Sequence, residues 1–326
     1  MSVVVQGTGS AVPRDKLTNA DLEALVDTSD EWIVTRTGIR ERGKLPSDRA
    51  TSDMATEAAA AALESAGVEP DALDLIVVCT CTADMVMPPT AALVQRNLDV
   101  RRMIPCYDLN AACAGFVFGL EVVYDQLCAG RYERALLIGA DAMTRLMDYE
   151  DRGTCVLFGD AAGALVLGRS EEPRGIQATT LQSDGTLWDL IHVPGGGSRT
   201  PPSAEMLERR EQYMRMNGRQ TFKLAVQAME QVARDVLDKA GWKLDEVDHV
   251  VVHQANLRII DAVAERLGLD RSRVPINVAR TGNTSAASIP VLLDECQRQG
   301  TLRAGQRVLC VGFGSGLSWG ASALIW

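Results

Sequence analysis

The chain has 326 residues, of which 46% are hydrophobic and 23% charged, a composition typical of globular rather than disordered proteins. Its 33 Lys and Arg against 43 Asp and Glu give a formal charge of −10, which argues against nucleic-acid binding as the main function. Residues 1–13 lack the basic flank and apolar run of a signal peptide, and no uncharged apolar run of about 18 residues occurs. We therefore expect a cytoplasmic protein without nucleic-acid or membrane partners.

In the first half, apolar strands alternate with helices. An Ala-rich helix is predicted over 51–66, ended by Gly67, and it leads into a strand at 73–79. The apolar segment IPCYDL (104–109) follows. A helix over 113–128, a strand at 135–139 and an apolar run at 163–168 complete this half.

The second half has the same order of elements. A helix over 218–240, ended by Gly241, precedes a strand at 248–252. The counterparts of the remaining first-half elements are the segment VPINV (274–278), a helix over 285–299, a strand at 307–311 and an apolar run at 320–326. The segment SEEP (170–173) interrupts the apolar pattern, so we expect two units, residues 1–173 and 174–326. The Pro- and Gly-rich stretch 194–202 is predicted to be a surface loop.

Two pairs of segments indicate that the halves are duplicates. Residues 66–78 match residues 240–252 at an offset of 174, and RALLIG (134–139) matches RVLCVG (307–312) at an offset of 173. So long a period indicates a duplicated fold unit rather than a solenoid. Strands this apolar need cover on both faces, which predicts an α/β protein with mostly parallel sheets between layers of helices.

The eight cysteines stand at irregular spacings beside only three histidines, which matches neither a disulfide framework nor a zinc site. Four of them lie in apolar runs and are expected to be small buried residues: Cys79, Cys106, Cys155 and Cys310. Cys113 differs, because it stands at a strand-to-helix junction among small residues. A helix N-terminus would lower the pKa of its thiol and raise its nucleophilicity. The alternative is a buried structural cysteine.

His253 and Asn283 are candidates of the same kind. His253 closes a predicted strand, at the end where α/β sites gather, although a structural histidine is also common there. Asn283 opens the helix that duplicates the one begun by Cys113, and its alternative is a helix cap. The segment GFGSG (312–316) either turns tightly between strands or directs backbone N–H groups at an oxyanion.

These residues fall in five motifs that resemble β-ketoacyl-ACP synthase III, the initiating condensing enzyme of type II fatty acid synthesis in the thiolase superfamily. The motifs are TSDEWIVTRTGIRER (28–42), AACAGF (111–116), DRGT (151–154), HQANLRII (253–260) and GNTSAAS (282–288). The resemblance covers essentially the whole chain. It implies a duplicated thiolase-like fold in five layers, α/β/α/β/α, with two mostly parallel mixed sheets.

The resemblance also implies a decarboxylative Claisen condensation. Cys113 would take an acyl group from acyl-CoA, with the oxyanion held by the backbone N–H groups of Cys113 and Ser315. His253 and Asn283 would then stabilise the enolate formed as malonyl-ACP loses carbon dioxide. No metal or redox cofactor is implied, and a homodimer is expected.

Binding residues follow from the same resemblance. It implies CoA contacts by Thr28, Trp32, Arg152 and Asn256, with Trp32 and Arg152 enclosing the adenine. The acyl carrier protein is itself acidic in this family, so docking needs a local basic face. The expected docking residues are Arg36, Lys223, Gln254 and Arg258, with Arg40 and Arg266 as further candidates.

Two positions depart from the family pattern. Met87 stands where an aromatic residue often closes the acyl pocket across the dimer interface, which predicts a longer or more adaptable pocket. Ser315 replaces a common glycine, and its side chain could narrow the pocket.

Other functions on this fold stay open. One is a starter-unit condensing enzyme or acyltransferase of polyketide or other secondary metabolism. A non-catalytic partner subunit is disfavoured because Cys113, His253 and Asn283 are all present. A degradative thiolase is disfavoured because the C-terminal glycine loop has Ser315 where such enzymes carry a second cysteine.

Overall fold

The structure is a computed structural model that describes residues 1–326. The strands are β1 (Ser2–Ala11), β2 (Lys16–Thr18), β3 (Glu41–Gly43), β4 (Leu75–Cys79), β5 (Cys106–Leu109), β6 (Arg134–Ala142), β7 (Asp160–Ser170), β8 (Gly175–Ser183), β9 (Ile191–His192), β10 (Arg215–Met216), β11 (His249–Val252), β12 (Arg307–Gly314) and β13 (Ser318–Ile325). The helices are α1 (Asn19–Glu23), α2 (Asp30–Thr37), α3 (Thr51–Ala66), α4 (Thr90–Asn97), α5 (Gly115–Cys128), α6 (Ala204–Glu208), α7 (Gly218–Ala240), α8 (Leu257–Leu267), α9 (Val278–Thr281) and α10 (Ser288–Arg298).

Two mixed sheets form the frame of the molecule. The first has the order β1-β7-β6-β4-β5, in which β7 alone runs against the other four strands. The second has the order β11-β12-β13-β8, in which β13 alone runs against the other three. The predicted pair of mostly parallel mixed sheets is confirmed.

Helices cover both faces of each sheet because the strands are apolar on both sides. In β4, Leu75 and Val77 pack with α5 and α10 in the central layer, whereas Ile76 and Val78 pack with α3 and α4 outside. In β11, Val251 joins the same central layer. Its neighbours on the other face pack with α7 and α8. The order is therefore α3 and α4, first sheet, α5 and α10, second sheet, α7 and α8, which confirms the five layers.

The Ala-rich composition of α3 reflects a very close approach to β1. A Cβ added at Gly7 would lie 2.5 Å from the Ala62 carbonyl oxygen, and one at Gly9 would lie 2.3 Å from that of Ala58. Only glycine on the strand permits this spacing. The helix ends as predicted, with Gly67 in the left-handed conformation at φ 63°.

One part of the duplication is not matched in the structure. IPCYDL supplies β5, but VPINV (274–278) forms no strand and leads directly into α9, so the second sheet has four strands rather than five. The side chain of Gln254 explains the difference, because its Oε1 accepts the backbone N–H groups of Asn277 and Val278 at 3.1 and 3.3 Å. A carboxamide thus occupies donors that a strand ladder would use.

Several smaller expectations have clear outcomes. Cys79, Cys155 and Cys310 are buried as predicted, but Cys106 is only half-buried on the edge strand β5. The stretch 194–202 has no regular structure, as expected. None of the helices combines the length and hydrophobicity needed to cross a membrane.

Candidate active site

A cavity of about 540 Å³ brings Cys113, His253 and Asn283 together. Cys113 comes from the turn before α5, His253 directly follows β11, and Asn283 comes from the turn before α10. His253 and Asn283 are buried, whereas arginines at the other end of the lining are exposed. The cavity therefore runs from the surface to three groups contributed by both halves of the chain.

Cys113 lies in a sharp turn between β5 and α5, residues 110–115, which we call the first elbow. Ala112 has a φ of 46°, a left-handed conformation that costs a residue other than glycine about 1–2 kcal/mol. Asn110 Oδ1 accepts the Ala112 N–H at 3.1 Å and supports this conformation. The elbow presents the Cys113 side chain to the cavity.

Backbone donors stand free beside the thiol. The N–H groups of Cys113 and Ser315 donate no hydrogen bond within the protein. A Cβ at Gly314 would lie 2.7 Å from the Cys113 nitrogen, so glycine keeps the space in front of this amide open. The Ser315 hydroxyl donates to the Ile191 carbonyl oxygen at 2.5 Å. Its side chain is therefore held by the segment that covers the cavity.

The expected low pKa of Cys113 is wrong. Burial raises the pKa of the thiol to about 12, and the nearby Asp141 carboxylate also raises it, whereas a hydrogen bond with Ser285 lowers it. The first regular turn of α5 begins two residues later, at Gly115, so Cys113 precedes the helix proper. The raised pKa favours the neutral thiol over the thiolate in the resting site.

His253 is held as a neutral imidazole in a defined orientation. Its side chain is buried, which lowers its pKa to about 4. Nδ1 lies 2.6 Å from Ser288 Oγ, and the same oxygen accepts the Gln254 N–H at 3.4 Å. We assign the hydroxyl proton to the bond with Nδ1, which leaves the proton of the ring on Nε2. A neutral donor can then face the cavity.

Asn283 is fixed through its backbone and through the oxygen of its side-chain amide. Its N–H donates to the Leu157 carbonyl at 2.8 Å, and its own carbonyl accepts the Gly159 N–H at 3.0 Å. Its Oδ1 accepts the Ser285 N–H at 2.9 Å. The Nδ2 group has no partner within the protein and remains available as a donor.

Gln254 is not a docking residue, and this prediction needs correction. Its side chain is fully buried, and Nε2 donates to the Val252 carbonyl oxygen at 2.7 Å while Oε1 accepts two backbone N–H groups. All polar groups of the carboxamide are thus occupied inside the protein. Gln254 ties the end of β11 to the segment before α9 and cannot reach a partner protein.

The predicted nucleotide-binding residues gather near the entrance. Arg152 lies 5.0 Å and Arg36 4.7 Å from the centre of the Trp32 ring, both as cation–π contacts. An adenine between Trp32 and Arg152 would require the guanidinium to move outward. Asn256 lines the cavity and caps α8, with Oδ1 accepting the Ile259 N–H at 2.9 Å, as its sequence position predicts. The Thr28 hydroxyl is buried without a partner and lies outside the cavity lining.

The entrance is positively charged. Arg36, Arg219 and Arg258 line the cavity, and no Asp or Glu does. Lys223 is exposed one turn along α7 from Arg219. Arg266 is paired with Glu230 at 2.5 Å on the outer side of α8, and Arg40 is exposed outside the cavity lining. The basic face therefore centres on Arg36, Arg219 and Arg258.

Sequence reasoning missed several residues of the site. Arg219 stands in the first turn of α7 and could have been found from the expected helix start, two positions after the cap Asn217. Ser288, which orients His253, lies in the motif GNTSAAS, but its contact with the imidazole exists only in the folded chain. Asp141 gave no local signal, because its partners come from distant segments of the chain.

Met87 does not line the cavity of its own chain. Its side chain is 79% exposed, beside Val86 at 94%. Its place in the acyl pocket of a second subunit therefore stays a prediction. The structure contains no group of three or more His, Cys, Asp or Glu arranged to hold a metal ion.

Comparison with known proteins gives consistent matches over the full chain. The family models for 3-oxoacyl-[acyl-carrier-protein] synthase III and for its C-terminal part match residues 107–185 and 237–326. The β-ketoacyl-[acyl-carrier-protein] synthase III of Symbiobacterium thermophilum is 48% identical over 99% of this chain and 98% of its own length.

Solved structures agree with these matches. The 3-oxoacyl-[acyl-carrier-protein] synthase III from Aquifex aeolicus VF5 superposes with a TM-score of 0.93 at 44% identity, covering 99% of this chain and 100% of that chain. The priming β-ketosynthase from the R1128 polyketide biosynthetic pathway gives a TM-score of 0.92 at 36% identity, covering 99% and 96%.

Proposed function

Since the chain belongs to the β-ketoacyl-[acyl-carrier-protein] synthase III family, the initiating condensing enzymes of fatty acid synthesis, we propose that it works through an acyl thioester on Cys113. The observation that carries this assignment is the content of one cavity. It holds a thiol beside unused backbone N–H groups, together with a neutral imidazole and a carboxamide whose other polar atoms are occupied. Each group required for the two half-reactions is thus supplied by this chain.

In the first half-reaction, Cys113 Sγ attacks the carbonyl carbon of an acyl-CoA. The new sulfur–carbon bond gives a tetrahedral oxyanion, whose collapse breaks the carbon–sulfur bond to CoA, and the thiol proton leaves with CoA as its free thiol. The N–H groups of Cys113 and Ser315 hold the developing oxyanion. Since burial raises the pKa of the Cys113 thiol, we propose that its proton moves in the same step as the attack.

In the second half-reaction, the malonyl thioester on the carrier protein loses carbon dioxide and becomes an enolate. His253 Nε2–H and Asn283 Nδ2–H donate to the enolate oxygen, so no base is needed to remove a carbon-bound proton. The enolate carbon attacks the acyl group, the carbon–sulfur bond to Cys113 breaks, and the thiolate that is released takes up a proton from solvent. We propose that neither a metal nor an organic cofactor takes part.

The positively charged entrance suits both acyl carriers, CoA with its phosphates and the acidic acyl carrier protein. We propose that Trp32 and Arg152 enclose the adenine of CoA, with Thr28 and Asn256 completing the nucleotide contacts. Arg36, Lys223 and Arg258 then meet the acidic carrier protein, with Arg219 added by its place in the entrance. We further propose that the units 1–173 and 174–326 act together in the cytoplasm.

Charge reversal at Arg258 tests carrier docking. Arg258→Glu is expected to raise the malonyl-ACP concentration for half-maximal rate about tenfold, while acyl transfer from acyl-CoA to Cys113 stays within about twofold. The two steps are measured separately, by steady-state condensation and by mass spectrometry of the acylated protein. Arg303→Glu, exposed outside the cavity, is the matched control. Equal damage to both steps would rule out a docking role.

We propose a homodimer formed along the edge strand β5. Exposed apolar side chains lie beside this edge, Val86 and Met87 in one loop and Met103 in another. Asp108 of β5 holds the start of α4 through the Thr90 and Ala91 N–H groups at 2.6 and 2.8 Å, which keeps the Met87 loop next to the edge. Pairing of two β5 edges would cover these side chains and bring Met87 towards the other subunit's cavity.

The deciding experiment is mass spectrometry of the intact protein after incubation with acetyl-, branched, medium and long acyl-CoAs, followed by malonyl-ACP. We expect an adduct on the Cys113 peptide that disappears as β-ketoacyl-ACP forms, and the most efficient donor identifies the primer. No adduct with any acyl-CoA would contradict the proposal.

The 36% identity to the R1128 priming ketosynthase supports a second candidate, the loading of starter units in polyketide synthesis. An adduct that persists with malonyl-ACP but clears with another acceptor would favour this candidate.

A further inference from the structure

The turn that carries Cys113 has a duplicate that carries Asn283. Residues 283–288, which we call the second elbow, lie 173 positions after the first elbow. Ser285 has a φ of 52° where Ala112 has 46°. Asn283 Oδ1 accepts the N–H two residues on at 2.9 Å, as Asn110 Oδ1 does at 3.1 Å. The two elbows therefore share their backbone geometry and their supporting hydrogen bond.

The elbows differ in what lies against their central backbone amide. The central amide of the first elbow is the N–H of Cys113, and Gly314 leaves the space beside it open. In the second elbow it is the N–H of Ala286, which donates to Asp141 Oδ2 at 3.1 Å. Asp141 at the end of β6 is itself the duplicate of Gly314 at the end of β12, again at an offset of 173. A carboxylate thus occupies at the second elbow the place that glycine leaves open at the first.

We propose that Asp141 is a positioning residue for Asn283, because its carboxylate fills at the second elbow the anion-binding place that the thioester oxygen takes at the first. The carboxylate accepts the Ala286 N–H and so fixes the left-handed conformation of Ser285. The Ser285 N–H in turn donates to Asn283 Oδ1, the oxygen of the side-chain amide. Asn283 Nδ2 is thereby kept facing the enolate. This inference rests on the proposed role of Asn283.

The surroundings of Asp141 fit this role. Its side chain is fully buried, and Oδ1 also accepts the Cys81 N–H at 2.8 Å and the hydroxyls of Thr80 and Thr82 at 3.1 and 3.0 Å. No Lys or Arg pairs with it. Neutral donors alone hold this group, as backbone N–H groups hold an oxyanion. Without the hydrogen bond from the Ala286 N–H to Asp141, Ser285 would lose support for its left-handed conformation, which is unfavourable for residues other than glycine.

The test measures the two half-reactions separately in the variant Asp141→Asn. We expect carbon dioxide release from malonyl-ACP without primer to fall at least about tenfold, while acylation of Cys113 by acyl-CoA falls by no more than about threefold, because the lost carboxylate is one that raises the pKa of the Cys113 thiol. In an Asn283→Ala background, Asp141→Asn should add less than about a twofold further loss, because its effect passes through Asn283. Asp294→Asn removes a comparably buried carboxylate from α10, the helix that follows the second elbow, and controls for loss of stability.

Three results would overturn the proposal. Equal losses in both half-reactions would show a general structural role for Asp141. A full further loss in the Asn283→Ala background would show that Asp141 does not act through Asn283. An Asn283→Ala enzyme with unchanged decarboxylation would instead remove the proposed role of Asn283, on which the inference rests.

A reciprocal variant covers the case in which Asp141→Asn does not fold. Gly314→Ala keeps Asp141 and places a methyl group against the Cys113 amide, so acylation of Cys113 should fall about 100-fold or more. Unchanged acylation would overturn the equivalence of the two elbows.

Discussion

Cys113→Ala is expected to take up no acyl group from any acyl-CoA and to lose condensation by more than about 1000-fold. Without the thiol, acyl-CoA cannot form the acyl thioester that the enolate attacks in the second half-reaction. The measurement combines mass spectrometry of the protein with the rate of β-ketoacyl-ACP formation. Release of carbon dioxide from malonyl-ACP should persist, because His253 and Asn283 remain.

Cys81 provides a matched control for this variant. It lines the same cavity and its thiol lies 3.4 Å from Asp141 Oδ1, where burial and that carboxylate raise its pKa well above the usual value. Cys81→Ala should still be acylated at Cys113. An adduct on Cys81, or any adduct that survives in Cys113→Ala, would show that the nucleophile has been misassigned.

His253→Ala is expected to lower decarboxylation of malonyl-ACP by about 100- to 1000-fold, because it removes one of two donors to the enolate oxygen. Acylation of Cys113 should be affected far less. The wild-type pH profile adds a second readout. Since the pKa of His253 is lowered to about 4, its ring stays neutral as pH falls from 7 to 5.5, and decarboxylation should not follow the titration of an ordinary histidine.

His249 is the control, because it lies at the other end of β11 and outside the cavity. His249→Gln should retain both half-reactions. Stability gives an independent check of the pKa. The unfolded chain binds a proton at His253 near pH 6.5 and the folded chain only near pH 4, so wild-type stability declines as pH falls through this window. His253→Ala should lack this part of the decline, whereas an unchanged pH dependence would contradict the lowered pKa.

The duplication and the apolar strands predicted helix-covered sheets and the approach of the Cys113 and Asn283 helix starts, whereas the five layers and the place of His253 followed from the family resemblance. A constant offset between the halves places the helices begun by Cys113 and Asn283 in equivalent positions, and the strands are apolar on both faces. The motifs then named the chemistry. Helix ends such as Gly67 and Gly241 followed from local rules, because left-handed glycine needs no tertiary partner.

Features that depend on side chains from distant segments could not be predicted. VPINV resembles its strand-forming counterpart, but the buried Gln254 takes its N–H groups. The thiol of Cys113 stands near a helix start, yet its pKa follows burial within a cavity that only the folded chain creates. In the sequence, Asp141 is an ordinary residue near a strand end. Its proposed role depends on the hydrogen bond from Ala286, which lies 145 positions away.

The crossed contacts of the two elbows have a consequence for how this enzyme becomes active. The first elbow is completed by Gly314 from the second sheet, and the second elbow by Asp141 from the first sheet. Neither half can therefore complete the surroundings of its own reactive residue, Cys113 or Asn283, even if that half is folded. Catalytic competence should emerge only when the halves dock, so that a newly synthesised chain stays inactive until β12, which carries Gly314, has been made and is in place.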